Sequence, residues 1–178
     1  MQFLEDKKKI LIIDFGSQVT KLIARRIRDL NVYCEIINLK ELSKIKNFDE
    51  IKGIILSGGP STVTQKKYPK IPKFLFEKNI PILGICYGLQ LITKVLGGRI
   101  QKSQKKREFG EAILFKKKKS ILFKNFFANK KANVWMSHQD AVSKIPKNFI
   151  NVACTINSKY TAIQNEKKKI YGIQFHPE

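Results

Sequence analysis

The stretch Ile80 to Leu96, I-P-I-L-G-I-C-Y-G-L-Q-L-I-T-K-V-L, changes its hydrophobic period at a single residue, and that change constrains the whole chain. Ile80 to Ile85 has the pattern of a strand covered on both faces, and Leu89 to Leu96 the apolar spacing of a helix packed against it. Cys86 stands at the junction. Gly84 and Gly88 flank it two positions away on either side, where a sharp strand-to-helix turn needs residues without a Cβ. A thiol so placed faces the free N–H groups and positive end of the following helix, which favours the thiolate, the form that attacks carbonyl carbon. The alternative is a buried structural cysteine, a common state of free thiols. The paired glycines and the strand-to-helix setting favour the nucleophile.

A strand buried on both faces belongs in an α/β sheet, and the rest of the chain supplies neighbours for it. Lys9 to Asp14 reads as a second central strand, and Ser17 is predicted to cap a helix reaching Leu30, with Leu22, Ile23, Ile27 and Leu30 on one face. Val32 to Leu39 and Gly53 to Leu56 read as further parallel strands, the latter interrupted by Ser57-Gly58-Gly59-Pro60-Ser61. A helix is predicted around Pro69 to Lys78, and Gly97-Gly98 ends the elbow helix. Beyond it the character changes. Ala112 to Phe115, Asn133 to Met136, Phe149 to Ile156, Thr161 to Gln164 and Ile170 to Phe175 are β-favouring runs between basic turns, predicted as mostly antiparallel strands extending or flanking the sheet. Phe-rich Ile121 to Phe127 reads as a short helix or loop plugging the core. The expectation is one domain over residues 1–178: an open, mostly parallel sheet with helices on both faces and added antiparallel strands in the C-terminal part. Sites in such sheets lie at the carboxyl ends of the strands, where both Cys86 and S-G-G-P fall.

Charge raises a different class of function. Lys+Arg 35 against Asp+Glu 14 gives a formal +21, which brings nucleic acid into question as a partner. The basic residues, however, fall in separate clusters next to polar or turn-like sequence: Lys7 to Lys9, Lys66 and Lys67, Lys105 to Arg107, Lys116 to Lys119, Lys130 and Lys131, and Lys167 to Lys169. No aromatic residues alternate with them as a stacking platform for single strands requires. A catalytically silent, basic nucleic-acid-binding module is therefore the alternative of another class, and a steep salt dependence of binding would reveal it. Cys34, Cys86 and Cys154 lack metal-ligand spacing and are odd in number, so no metal site and no disulfide framework is expected. The N-terminus has no signal-peptide core, and no apolar run approaches the ~20 residues that span a bilayer. A cytoplasmic protein is expected.

The sequence ends Y-G-I-Q-F-H-P-E. A cysteine nucleophile needs a base for its proton, and a carboxylate two residues away can orient that base. His176 and Glu178 supply this pair across the rigid Pro177, although H-P-E alone is compatible with a capped strand end. An oxyanion hole needs two converging N–H groups. Tyr87, opening the elbow helix, offers one, and Gly58-Gly59 is the obvious source of the other, since glycine lets the backbone approach a substrate closely. S-G-G-P alone also fits an ordinary turn or a phosphate-gripping loop, but no G-x-x-x-x-G-K-[ST] is present.

D-F-G-S-Q (14–18), L-S-G-G-P (56–60), G-I-C-Y-G-L-Q (84–90), R-E-F-G (107–110), M-S-H-Q-D (136–140) and G-I-Q-F-H-P-E (172–178) follow one another along the chain. In this order they resemble the class I glutamine amidotransferase domain found in GMP synthases, over essentially the whole sequence. The elbow, S-G-G-P and F-H-P-E are shared by class I glutaminases generally, so an enzyme serving another synthetase, such as anthranilate synthase, is the near alternative. F-G-S-Q, R-E-F-G and S-H-x-D are what point to the GMP synthase type. The resemblance implies a flavodoxin-like fold and glutamine hydrolysis through a thioester, with Cys86 as nucleophile, His176 as base and Glu178 orienting it. It further implies that Gln90, one turn beyond Cys86, contacts substrate glutamine, though spacing alone also allows a helix-surface amide. Ser137 and Asp140 are implied as substrate contacts and His138 as structural. The ammonia would serve ATP-dependent amination of XMP to GMP. No S-G-G-x-D-S nucleotide loop occurs, so the ATP pyrophosphatase and dimerisation domains are expected to be missing, the chain being a fragment or the partner of a separate synthetase chain. No cofactor is expected here; ATP and Mg belong to the synthetase domain.

Overall fold

The computed structural model describes residues 8–60, 62–64, 68–102 and 107–178. Ser61, Lys7, Lys66, Lys67, Lys105, Lys106 and most of the N-terminal segment lie outside the described residues. Five strands form the parallel part of a nine-stranded sheet: β1 (Lys9–Ile13), β2 (Cys34–Ile37), β3 (Ile51–Leu56), β4 (Ile82–Ile85) and β11 (Ile170–Ile173). Four antiparallel strands complete it: β6 (Glu108–Lys116), β7 (Lys131–His138), β9 (Ile150–Cys154) and β10 (Ala162–Asn165), giving the order β2-β1-β3-β4-β11-β10-β9-β6-β7. β5 (Arg99–Lys102) and β8 (Asp140–Lys144) form a separate antiparallel pair.

The apolar runs of the parallel strands are explained by a core on each face of the sheet. Leu11 and Ile13 of β1 enter one core and Ile12 the other, as the two-residue period of a strand requires. The first core also takes Leu89 and Ile92 of α3 (Tyr87–Val95), the second Ile23 and Ala24 of α1 (Thr20–Asp29). Helix α3 ends where Gly97 adopts φ +88: its N–H bonds the Lys94 carbonyl at 3.3 Å and that of Gly98 the Thr93 carbonyl at 2.7 Å. This paired closure satisfies carbonyls that the helix leaves open.

Several expectations are corrected. Ser17 does not cap α1: its Oγ accepts from the Val19 N–H in a local turn, and the helix starts three residues later, at Thr20. Leu30 follows the helix and is 75% exposed. The second strand stops at Ile37 because Asn38 opens a short helix, α2 (Leu39–Leu42), in a reciprocal cap with Glu41. The helix expected from Pro69 to Lys78 is only a 3₁₀ turn, Lys73–Glu77; Pro69 and Pro72 lack N–H groups and hold their predecessors extended. The final strand is parallel, pairing with β4, whereas β6, β7, β9 and β10 are antiparallel as expected. Phe123 is buried against Phe127 and Phe175, while Ile121 is exposed, so the 121–127 segment plugs the core with one face only.

Candidate active site

Register decides what meets at the carboxyl edge. Ile173 of β11 pairs with Ile85 of β4, and Leu56 of β3 with Gly84, so the residues following all three strands emerge side by side. These are Gln174 to Glu178, Cys86, and Ser57 to Pro60. The Cys86 N–H donates to the Ile173 carbonyl at 2.7 Å, tying the elbow to the last strand.

Cys86 itself has φ 50 and ψ −102, a conformation that costs a non-glycine residue about 1–3 kcal/mol. The flanking glycines leave the room that the sharp turn was expected to need. A Cβ on Gly88 would lie 2.2 Å from the Leu56 carbonyl oxygen, and one on Gly84 2.6 Å from the Leu89 nitrogen. They let α3 sit against β3 and β4, and the strain falls on the cysteine. Its side chain, in a residue 8% exposed, forms part of the wall between two cavities.

One cavity, of about 350 Å³, is lined by Gly59, Tyr87, Gln90, Ser137 and Asp140. The other, of about 590 Å³, is lined by Ser17, Gln18, Trp135, His176 and Glu178. Cys86, Gly59, Pro60 and Ser137 border both. The candidate residues therefore divide in part: Tyr87, Gln90 and Asp140 line one cavity, His176 and Glu178 the other, and Gly59 and Ser137 border both with the sulfur.

His176 Nδ1 lies 2.7 Å from Glu178 Oε1, and Glu178 is buried at the side chain. The histidine backbone is held as well, its N–H donating to the Trp135 carbonyl of β7 at 2.9 Å. The ring is pushed up to about 10 from its ordinary 6.5, chiefly by its hydrogen bond with Cys86 and next by that with Glu178, against the opposing effect of burial. The imidazolium is thus strongly favoured between a sulfur and a carboxylate.

As the first residue of α3, Tyr87 has an N–H with no partner in the helix ladder, directly beside Cys86. Its phenol is pushed up to about 12, mainly by burial, so the ring contributes packing, edge-on to Phe15. Gly59 lies tight in this corner: a Cβ there would meet the Phe15 oxygen at 2.9 Å and the Tyr87 ring at 3.3 Å. Ser57 fixes the loop by accepting from the Phe15 N–H at 3.1 Å and donating to the Gly58 carbonyl at 2.8 Å.

Gln90 is buried and donates from Nε2 to the Asp140 backbone carbonyl at 3.0 Å. The Asp140 carboxylate accepts from Thr62 Oγ1. Ser137 presents its carbonyl to Cys86, with Sγ 3.7 Å away. His138 is occupied within the protein, Nδ1 with the Asp140 carbonyl and Nε2 with Glu108, each at 3.1 Å. Among the described residues no group of three or more His, Cys, Asp or Glu is placed to hold a metal ion, and no helix is long and apolar enough to cross a membrane. Thr62 and Gln174 reach the site without having been singled out from sequence. Thr62 carries no signal there, whereas Gln174 sits inside the G-I-Q-F-H-P-E motif, adjacent in pattern to the residues that drew attention.

Comparison with known proteins adds the family. The family model for class-I glutamine amidotransferases matches residues 11–178. The glutamine-hydrolysing GMP synthase of Treponema denticola is 50% identical over 177 residues, 99% of this chain and 33% of that protein. That of Aliivibrio fischeri is 47% identical, over 96% of this chain and 32% of the relative. The chain thus spans about a third of the length of the curated relatives it matches. Among solved structures, a Thermoplasma acidophilum protein described as a candidate GMP synthase component superposes with a TM-score of 0.75 at 27% identity, covering 96% of this chain and 84% of that one. A glutamine amidotransferase from Thermotoga maritima shares the fold, with a TM-score of 0.75 at 23% identity over 97% of this chain and 76% of the other. The chain belongs to the class I glutamine amidotransferase family.

Proposed function

We propose that this chain hydrolyses the side-chain amide of glutamine and delivers the ammonia to a synthetase that aminates XMP to GMP. The observation that carries the hydrolytic step is the position of Cys86 on the border of both cavities, with the imidazole of His176 lining one, Tyr87 the other, and the Gly59 loop reaching both. Glutamine enters the smaller cavity, where Gln90, Ser137 and Asp140 receive its amino-acid end. The Cys86 thiolate forms a C–S bond to the amide carbon while the carbonyl electrons move to oxygen, held by the N–H groups of Gly59 and Tyr87. Collapse of this intermediate breaks the C–N bond as His176 gives its proton to the nitrogen, releasing ammonia and leaving a thioester. Water then surrenders a proton to His176 and adds to the thioester carbon; a second collapse expels thiolate and yields glutamate. Glu178 keeps the ring oriented throughout.

The acceptor is inferred from the relatives, whose names specify GMP synthase at 46–50% identity. We assign the ATP-dependent step to a synthetase unit corresponding to the part of those proteins that this chain does not span.

The test is glutamate release from glutamine in the presence of the synthetase unit, ATP and XMP. Cys86→Ala is expected to lose at least ~10³-fold in rate, the scale of removing a covalent nucleophile. Retained glutamine hydrolysis by the alanine variant would overturn the assignment.

A further inference from the structure

Gln174 is wholly buried and lines neither cavity, yet its Nε2 lies 3.5 Å from Cys86 Sγ while its Oε1 is buried without a partner. Its place follows from the register: Ile173 pairs with Ile85, so the next residue on each strand, Gln174 and Cys86, emerge together. An amide in a core with one end unpaired is unfavourable by the desolvation of that end. The opposite orientation is worse. It would aim Oε1 at the sulfur lone pairs and leave both N–H bonds without an acceptor.

Besides His176, the sulfur has two neighbours of opposite character. The Ser137 carbonyl at 3.7 Å can only accept, so it suits the thiol, whose S–H it receives. The Gln174 N–H can only donate, so its bond strengthens as charge gathers on sulfur. Transfer of the proton to His176 weakens the first contact and strengthens the second. Because Gln174 is on the core side, this bond requires no rearrangement as glutamine binds and leaves the mouth of either cavity clear.

We propose that Gln174 is a further catalytic residue, its amide N–H holding the Cys86 thiolate from the core side both before attack and when the thioester collapses. The inference deepens the proposed glutaminase reading and rests on it. The side chain acts on the leaving and attacking sulfur and not on the bound amino acid, so its loss falls on kcat and leaves KM for glutamine unchanged.

The test is the rate of alkylation of Cys86 by iodoacetamide between pH 5 and 9, followed by mass analysis of the peptide carrying it, in the parent and in Gln174→Met, which keeps the length and removes the donor. The methionine variant is expected to alkylate about tenfold more slowly at neutral pH, with its pH profile displaced upward by about one unit. Its thermal midpoint should match or exceed that of the parent, because an unpaired buried oxygen has been removed. A purely structural amide would instead lower the midpoint and leave the profile where it was. A folded Gln174→Met with the parent's profile overturns the proposal. Should that variant not fold, Gln174→Glu tests it, since a carboxylate beside the sulfur is expected to depress neutral alkylation at least as far; parent-like alkylation overturns the proposal equally. Failure of the underlying reading is separately visible: parent Cys86 would react no faster at neutral pH than the half-buried Cys154.

Discussion

At the scale of single residues, the site is built on one unfavourable backbone conformation. Cys86 is held at φ 50 and ψ −102 by its N–H bond to Ile173 and by α3 beginning at the next residue, and this aims its side chain out of the sheet. The strain belongs to the backbone, so it should persist when the sulfur is removed. Cys86→Gly is therefore predicted to be more stable than Cys86→Ala by about 1 kcal/mol, measured by denaturant unfolding, because glycine adopts this region without a Cβ penalty. His176 gives a second residue-level prediction. Its folded-state pKa is raised to about 10, so its contribution to stability is fully present below its unfolded value of 6.5 and is lost as pH rises through the folded one. The stability gap between parent and His176→Gln should be largest below pH 6.5 and shrink between there and pH 10, as unfolding curves across that range would show.

At the scale of elements, three strand ends are aligned by pairing, and the helix that follows one of them is packed close enough to forbid side chains. A Cβ at Gly88 would stand 2.2 Å from the Leu56 carbonyl oxygen, a contact with backbone that no rotamer change relieves. Gly88→Ala is predicted to destabilise the fold by about 3 kcal/mol or more, read as a lowered unfolding midpoint, by pushing α3 from β3. The elbow was legible in sequence because the apolar spacing of a covered strand differs from that of a helix packed against it, and the change falls at Cys86. The parallel pairing of β11 with β4 was not. Ile170 to Ile173 is as apolar as any covered strand, and which neighbour it takes depends on a return of the chain across the sheet that leaves no local mark. The same is true of β5 and β8, whose short polar pattern gives no alternation to detect. Gln174 illustrates the limit at the site itself: its motif was visible, but its aim at the sulfur depends on the register of two distant strands.

At the scale of the molecule, the sheet does two things. Its parallel half presents the elbow and the S-G-G-P loop, and its antiparallel half curls back so that β7, the outer strand, holds His176 through Trp135 and offers the Ser137 carbonyl to Cys86. The formal charge of +21 comes from basic clusters scattered along the sequence. Lys9 pairs with Glu35, Lys78 lies over Phe48, and Lys94 over Tyr68, so parts of the basic surface are spent within the fold. The glutamine chemistry proposed at Cys86 is tested most directly by an electrophilic analogue of glutamine, its chloroketone. Intact-mass and peptide mapping after incubation are predicted to show a single adduct, on Cys86, whose formation is suppressed by excess glutamine and abolished in Cys86→Ala. An adduct on Cys34 or Cys154 instead, or labelling of Cys86 that glutamine does not protect, would contradict the account.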